Sequence, residues 1–282
     1  MTSPLISQRT RADWLKILRA NNIRPTRSMG QNFLVEPEVV EKIAATAGIE
    51  PADLVVEIGP GLGILTRQLL ASGARVVGVE LDRELAAFLR NDLDSYPGFS
   101  LVEHDARHVD INAITDGMPY QVVANLPYSV ATVVIRHFVE SGNPPASLTV
   151  MVQREVAERM TATPPAMSLL GLASQYYSDA EIAFIVPPDV FVPPPKVESA
   201  VVSMHVRHEQ VLDAEQRDRM FELATMAFQR KRKTLANGLS QGLARDKADV
   251  ERVIAAADVS PAARPQDIDV AGWIRLAQVF ST

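Results

Sequence analysis

From residue 53 onward, short apolar runs alternate with amphipathic stretches, and the first run empties into a loop with three glycines, EIGPGLGILT at 57–66. That alternation is the signature of βαβ units, in which parallel strands are covered on both faces by helices. Strands are expected at 54–58, 75–80, 100–103, 121–125, 148–153, 182–186 and 199–206, and helices at 64–72, 83–93, 154–160 and 169–177. Prolines in PPDVFVPPP at 187–195 argue against regular ladder bonding there. After residue 206 the spacing becomes helical throughout, at 215–225, 230–242, 247–256 and 268–280. The reading is α/β: a Rossmann-like domain over 1–206, with a basic segment at 1–35, followed by a small all-α domain over 207–282.

Charge is distributed unevenly. The net charge is −6, yet residues 1–35 hold six basic side chains against one acidic, and residues 228–247 repeat that ratio. Residues 36–116 hold fifteen acidic and six basic side chains. Two basic ends suit a polyanion and an acidic middle suits a cation, although solvated helix faces would produce the same pattern. No cysteine is present, which excludes disulfides, thiolate metal sites and cysteine nucleophiles. The five histidines form no metal-binding pattern, so no metal is expected. No apolar run reaches the ~18 residues of a membrane span, and a soluble cytoplasmic protein is expected.

The glycine loop carries more chemistry than its glycines. Gly59 and Gly61 permit a close backbone approach to a ligand, but Glu57 precedes them and Pro60 removes an amide donor. An anionic pyrophosphate is therefore poorly served, and a cation is better served. Glu80 ends the second strand, where a carboxylate meets ribose hydroxyls, and Asp105 follows the third, within reach of an adenine amino group. Ribose, adenine and a positive charge together describe S-adenosylmethionine. A dinucleotide fits Glu80 equally well, and both acids could be simple turn residues.

The fourth strand ends in Asn125-Leu126-Pro127-Tyr128. Adenine N6 is a poor nucleophile because its lone pair is delocalised. Two acceptors aimed at its N–H bonds, the Asn125 side-chain oxygen and a Leu126 carbonyl braced by Pro127, would favour a pyramidal nitrogen. Tyr128 offers a stacking face for an unpaired base. A strand-ending turn punctuated by proline is the alternative.

GQNFL at 30–34, EIGPGLGILT at 57–66, VELD at 79–82, NLPY at 125–128, FVPPPKVESAVV at 191–202 and FQRKRKTL at 228–235 occur in this order, nearly end to end. Together they resemble the KsgA-type ribosomal RNA adenine dimethyltransferases. The resemblance implies a class I methyltransferase sheet, mostly parallel with one antiparallel strand, and a helical C-terminal domain that binds RNA. It implies transfer of methyl groups from S-adenosylmethionine to N6 of two adjacent adenines in the 3′-terminal hairpin of small-subunit rRNA. The partner would be the immature small ribosomal subunit, and the enzyme a monomer. It places Asn32 and Leu34 in the cofactor segment with Gly59, Gly61, Glu80 and Asp105, and Asn125 between cofactor and amine. Phe191 becomes a second base-stacking ring opposite Tyr128, although it also reads as a loop anchor on the core. Arg230, Lys231, Arg232 and Lys233 become RNA contacts, not all of which can share one face of a helix. Ser129, Pro165 and Leu170 depart from the family pattern. Two rivals remain: a macrolide-resistance methyltransferase of large-subunit rRNA, and a non-catalytic assembly or nucleic-acid-binding relative.

Overall fold

The computed structural model describes residues 9–26, 30–126, 131–209 and 211–281. Its strands are β1 (Phe33–Leu34), β2 (Leu54–Ile58), β3 (Arg75–Glu80), β4 (Phe99–Glu103), β5 (Gln121–Asn125), β6 (Ser147–Gln153), β7 (Ser178–Val186), β8 (Phe191–Val192) and β9 (Ser199–Val206). The helices that follow the N-terminal segment and the first strands are α1 (Arg11–Ala20), α2 (Pro37–Ala47), α3 (Ile64–Ala71), α4 (Arg83–Leu93), α5 (Ile111–Thr115) and α6 (Ala131–Val139). Then come α7 (Arg154–Met160), α8 (Leu169–Tyr177), α9 (Ala214–Phe228), α10 (Leu235–Leu243), α11 (Lys247–Ala256) and α12 (Val270–Phe280).

Seven strands form one sheet in the order β4-β3-β2-β5-β6-β9-β7. The pairs from β4 through β6 are parallel, and β9 runs antiparallel to β6. Every residue of β2 is buried, as are Val122, Val123 and Ala124 of β5, because helices cover both faces of a parallel sheet. The strand order reverses between β2 and β5, which is where an open α/β sheet splays to admit a ligand. Register places Ile58 beside Val79 and Ala124, so β2, β3 and β5 end together at one edge. The helix α4 starts on an Asp82 cap that accepts the Glu84 and Leu85 amides, and it buries Leu85, Leu89 and Leu93 at helical spacing.

The chain divides into two compact units, one comprising residues up to Ala157 with Glu181–Val206, the other Glu158–Ala180 with Arg207–Thr282. Packing thus groups α8 with the C-terminal helices, where a boundary at 206 alone would leave it with the sheet. Within that second unit the Tyr177 ring stacks on Phe221 at 6.0 Å, the Arg207 amide bonds the Tyr177 carbonyl at 2.8 Å, and Met167 N–H bonds Gln266 O at 3.2 Å. Fully buried Trp273 of α12 lies 5.9 Å from the Phe228 ring of α9.

Two expectations are corrected. The helix expected over 230–242 begins only at Leu235, so residues 230–233 form a turn and are not spread around a helix. Thr234 caps α10 by accepting the Asn237 amide, and the Leu235 amide is taken by the Ala263 carbonyl at 2.7 Å. Second, the proline-rich stretch does pair: Phe33 lies opposite Val192 and Leu34 opposite Phe191, and the Val35 amide bonds Val190 O at 3.0 Å. The prolines flank these residues, so none has to donate to the ladder.

Candidate active site

The crevice at the strand-order reversal holds a cavity of about 280 Å³, close to the lower end of the ~300–1,000 Å³ usual for small-molecule sites. Residues 30–34, the glycine loop and the ends of β2, β3 and β5 build most of it, and Val40, Leu85 and Phe191 complete the lining. Asn32, Leu34, Gly59, Gly61, Glu80, Asn125, Leu126 and Phe191 all line it.

The N-terminal piece is tied down at several points. Gln31 donates to the Asp82 carboxylate at 2.8 Å and accepts the Thr26 amide at 2.8 Å. Asn32 Nδ2 donates to Gly30 O at 3.1 Å, and the Asn32 carbonyl accepts from Asn125 Nδ2 at 3.4 Å. Trp14 and Leu18 of α1 are buried against Phe33, Val35, Leu62 and Leu85, so the helix braces the cavity wall from behind. On the same side Arg9 bonds Asp92 of α4 at 3.2 Å, and Asp92 also pairs with the buried Arg67 of α3.

Glu80 is buried, and its two oxygens accept three backbone amides, those of Gly61 at 3.0 Å and of Leu81 and Asp82 at 2.9 Å. Burial raises its pKa while these amides oppose the rise. A carboxylate has about four acceptor sites, so one remains on Oε2 for an incoming hydroxyl. Glu57 is 2% exposed, its Oε2 has no hydrogen-bond partner, and burial pushes it up to about 8. This acid entered the sequence reading only as local charge beside the loop, and the cavity makes it a lining residue. Leu62, Leu81 and Leu85 also line the cavity and were not singled out, since nothing in an apolar residue's identity separates a ligand wall from core.

Asp105 does not line the cavity. Its carboxylate accepts Arg107 Nε and Nη2 at 3.0 and 2.6 Å and the Arg107 amide at 2.9 Å, which hold its pKa down at about 2. Phe191 is 1% exposed and packed among Leu34, Val40, Met151 and Val201. That burial is what its reading as a loop anchor describes, and the residue also lines the cavity. Pro127, Tyr128 and Ser129 lie outside the described residues. Lys231, Arg232 and Lys233 are exposed on the turn before α10, and Arg230 is partly exposed. Among the described residues no cluster of three or more His, Cys, Asp or Glu side chains could hold a metal ion.

The sequence model of the family described as ribosomal RNA adenine dimethylase matches residues 21–280. The chain belongs to that family. Among curated members, a ribosomal RNA small subunit methyltransferase A from Alkaliphilus metalliredigens is 38% identical over 93% of this chain and 94% of its own length. One of the same description from Enterococcus faecalis is 37% identical over 94% and 93%. Among solved structures, a dimethyladenosine transferase from Plasmodium falciparum superposes with a TM-score of 0.75 at 24% identity, covering 88% of this chain and 97% of its own. The 23S rRNA methyltransferase ErmE gives 0.70 at 26%, covering 89% of this chain and all of ErmE. The family match runs through the C-terminal helices as well as the sheet.

Proposed function

We infer that this enzyme dimethylates adenine N6 in small-subunit rRNA with S-adenosylmethionine as methyl donor. The carrying observation is the meeting, at one end of the sheet, of two buried acids and Asn125 around a cavity whose glycine loop offers close backbone approach. The residues suit this donor. Glu57 has an unpartnered buried oxygen that a cationic ligand would satisfy, and Glu80 keeps one acceptor site for a ribose hydroxyl. When bound, S-adenosylmethionine supplies a methyl group on a positively charged sulfur.

The chain's own part is alignment and hydrogen bonding. The bond from Asn125 Nδ2 to Asn32 O orients the amide, which leaves Oδ1 as the acceptor for one N–H of the target amine. The Leu126 amide is held by Met151 O at 3.1 Å, and the Leu126 carbonyl is proposed as the second acceptor. Two acceptors draw the adenine nitrogen away from planarity and raise its nucleophilicity. Once monomethylated, the amine has a single N–H, so one acceptor suffices for the second transfer. The proton released in each round passes to water, and no general base is required. Asp105 would reach the cofactor's adenine only with the acceptor capacity that Arg107 leaves it. Pro127 as brace and Tyr128 as stacking platform complete the reading by resemblance.

The exposed basic turn at 230–233 is proposed to contact rRNA phosphates, and the basic N-terminal segment is proposed as a separate source of phosphate contacts. The monomeric chain would act on an immature small ribosomal subunit in the cytoplasm. No described helix is long and apolar enough to cross a membrane. Relatives at 37–38% identity described as small subunit methyltransferase A favour this target over that of ErmE at 26%. Primer-extension mapping on small-subunit particles lacking these methyl groups tests the assignment. Adjacent dimethylated adenines near the 3′ end are expected, and label confined to large-subunit RNA would overturn it.

A further inference from the structure

Glu57 sits near the end of β2, is one of the residues lining the cavity, and has almost no solvent contact, its Oε2 buried without a hydrogen-bond partner. Its surroundings can be followed element by element. On β3 it faces Gly78 in register, and the end of that strand brings Glu80, whose charge disfavours a second anion. On β5 it faces apolar Val123, with neutral Asn125 beyond. From α3 come Thr66, a neutral neighbour that favours the anion although its Oγ1 makes no hydrogen bond, and Arg67, whose guanidinium is paired with Asp92. Residues 30–34 bring only the neutral Gln31 and Asn32 as polar side chains. The charge that acts on Glu57 is thus that of Glu80, and it has the wrong sign to stabilise a carboxylate. A carboxyl so placed holds its proton at neutral pH.

We propose that Glu57 is a proton-coupled cation receptor: it is neutral without ligand and gives its proton to solvent when an onium group of S-adenosylmethionine enters the cavity. This rests on the cofactor reading above and deepens it. The O–H bond of Glu57 breaks, the proton leaves to buffer, and the new carboxylate faces a positive charge in a buried setting. The coupling makes cofactor affinity depend on pH. Where Glu57 is protonated in the free chain, each unit of rising pH strengthens binding by about tenfold, and the gain ends once the free acid ionises by itself. Two cations of the ligand have the required chemistry, the sulfonium and the α-ammonium. S-adenosylhomocysteine keeps only the second.

Isothermal titration calorimetry of the full chain at pH 7, in buffers of different ionisation enthalpy, counts the protons. Close to one proton should leave per S-adenosylmethionine bound. In Glu57→Gln, whose neutral amide imitates the protonated acid, binding should persist more weakly with the count near zero, which also subtracts any contribution from the ligand's own amine. Should that variant bind too weakly to measure, the wild-type affinity alone decides, by rising about tenfold from pH 6 to 7 and levelling above about pH 8. Release with S-adenosylhomocysteine as well assigns the ammonium, and release with S-adenosylmethionine alone assigns the sulfonium. Tight wild-type binding without proton release, or release unchanged in Glu57→Gln, overturns the proposal and leaves the cofactor reading standing. Absence of any S-adenosylmethionine binding overturns both.

Discussion

Alanine at Gly59 and at Gly63 should separate a backbone that serves a ligand from one that serves the core. Both glycines are left-handed, at φ of 67° and 72°, where an L-residue costs about 1–2 kcal/mol. A Cβ at Gly59 would find only the Asn125 carbonyl, 4.0 Å away, so Gly59→Ala should lose about 1–2 kcal/mol of folding stability and little more. A Cβ at Gly63 would lie 2.9 Å from Leu89 Cδ2 and 3.1 Å from Leu93 Cδ1. Those leucines are 0% and 1% exposed and anchor α4 on the sheet, so neither can yield without disturbing the core. Overpacking adds about 1–3 kcal/mol, which brings Gly63→Ala to about 2–5 kcal/mol. Urea unfolding measures these losses, and calorimetric titration with S-adenosylmethionine supplies the other axis. The Gly59 methyl would stand between the loop and Asn125, both of which line the cavity, so affinity should fall by at least about tenfold, or 1.4 kcal/mol. Folded Gly63→Ala should bind nearly as wild type, since Gly63 is not part of the lining. Equal stabilities would refute the packing argument at Gly63, and wild-type affinity in Gly59→Ala would refute the cradle.

Asn125→Ala should lower methyl transfer by about 100-fold or more, as loss of a well-placed acceptor does, with RNA affinity nearly unchanged in a filter-binding assay; unaltered turnover would remove Asn125 from the mechanism. Replacing Lys231 and Lys233 together by alanine should reduce the slope of log affinity against log salt by about one unit for each phosphate that is no longer neutralised. An unchanged slope would return the turn to ordinary solvated surface. Glu57 should also make the ligand-free chain less stable as pH rises. The folded state holds this proton up to about pH 8, against 4.5 for the unfolded chain. Stability therefore declines by up to about 1.4 kcal/mol per unit within that window. Urea unfolding at pH 5.5 and 7.5 should show wild type losing about 2–3 kcal/mol more than Glu57→Gln, and parallel losses would contradict a buried neutral acid.

What could be read before the fold was known follows how local its cause is. The strands β2, β3 and β5 are buried on both faces, so apolar runs announce them and polar Glu80 and Asn125 mark where two of them stop. The Asp82 cap and the Leu85-Leu89-Leu93 spacing likewise define α4 from within its own sequence. Pairing of Phe33–Leu34 with Phe191–Val192 has no such signal, because two residues show no period and the partner lies more than 150 positions away. At 230–233 a basic run of good helix formers continues the helical pattern, yet the Thr234 cap and a bond to distant Ala263 start α10 afresh at Leu235.

The acids show the same division in chemical terms. Glu80 could be placed from its distance to the glycine loop, and its amide partners are neighbours on that loop and on its own strand end. Asp105 occupied the expected position after β4, but the nearby Arg107 already claims its carboxylate. Glu57 is the sharper case, because its formal charge beside the loop reads as an anion awaiting a cation. Burial and Glu80 reverse that state without a ligand, so the acid that suits a sulfonium is neutral until the cation arrives. A residue's type thus specifies which charge it can carry, whereas the strands packed around it decide when it does. In this cavity that timing ties cofactor binding to a proton.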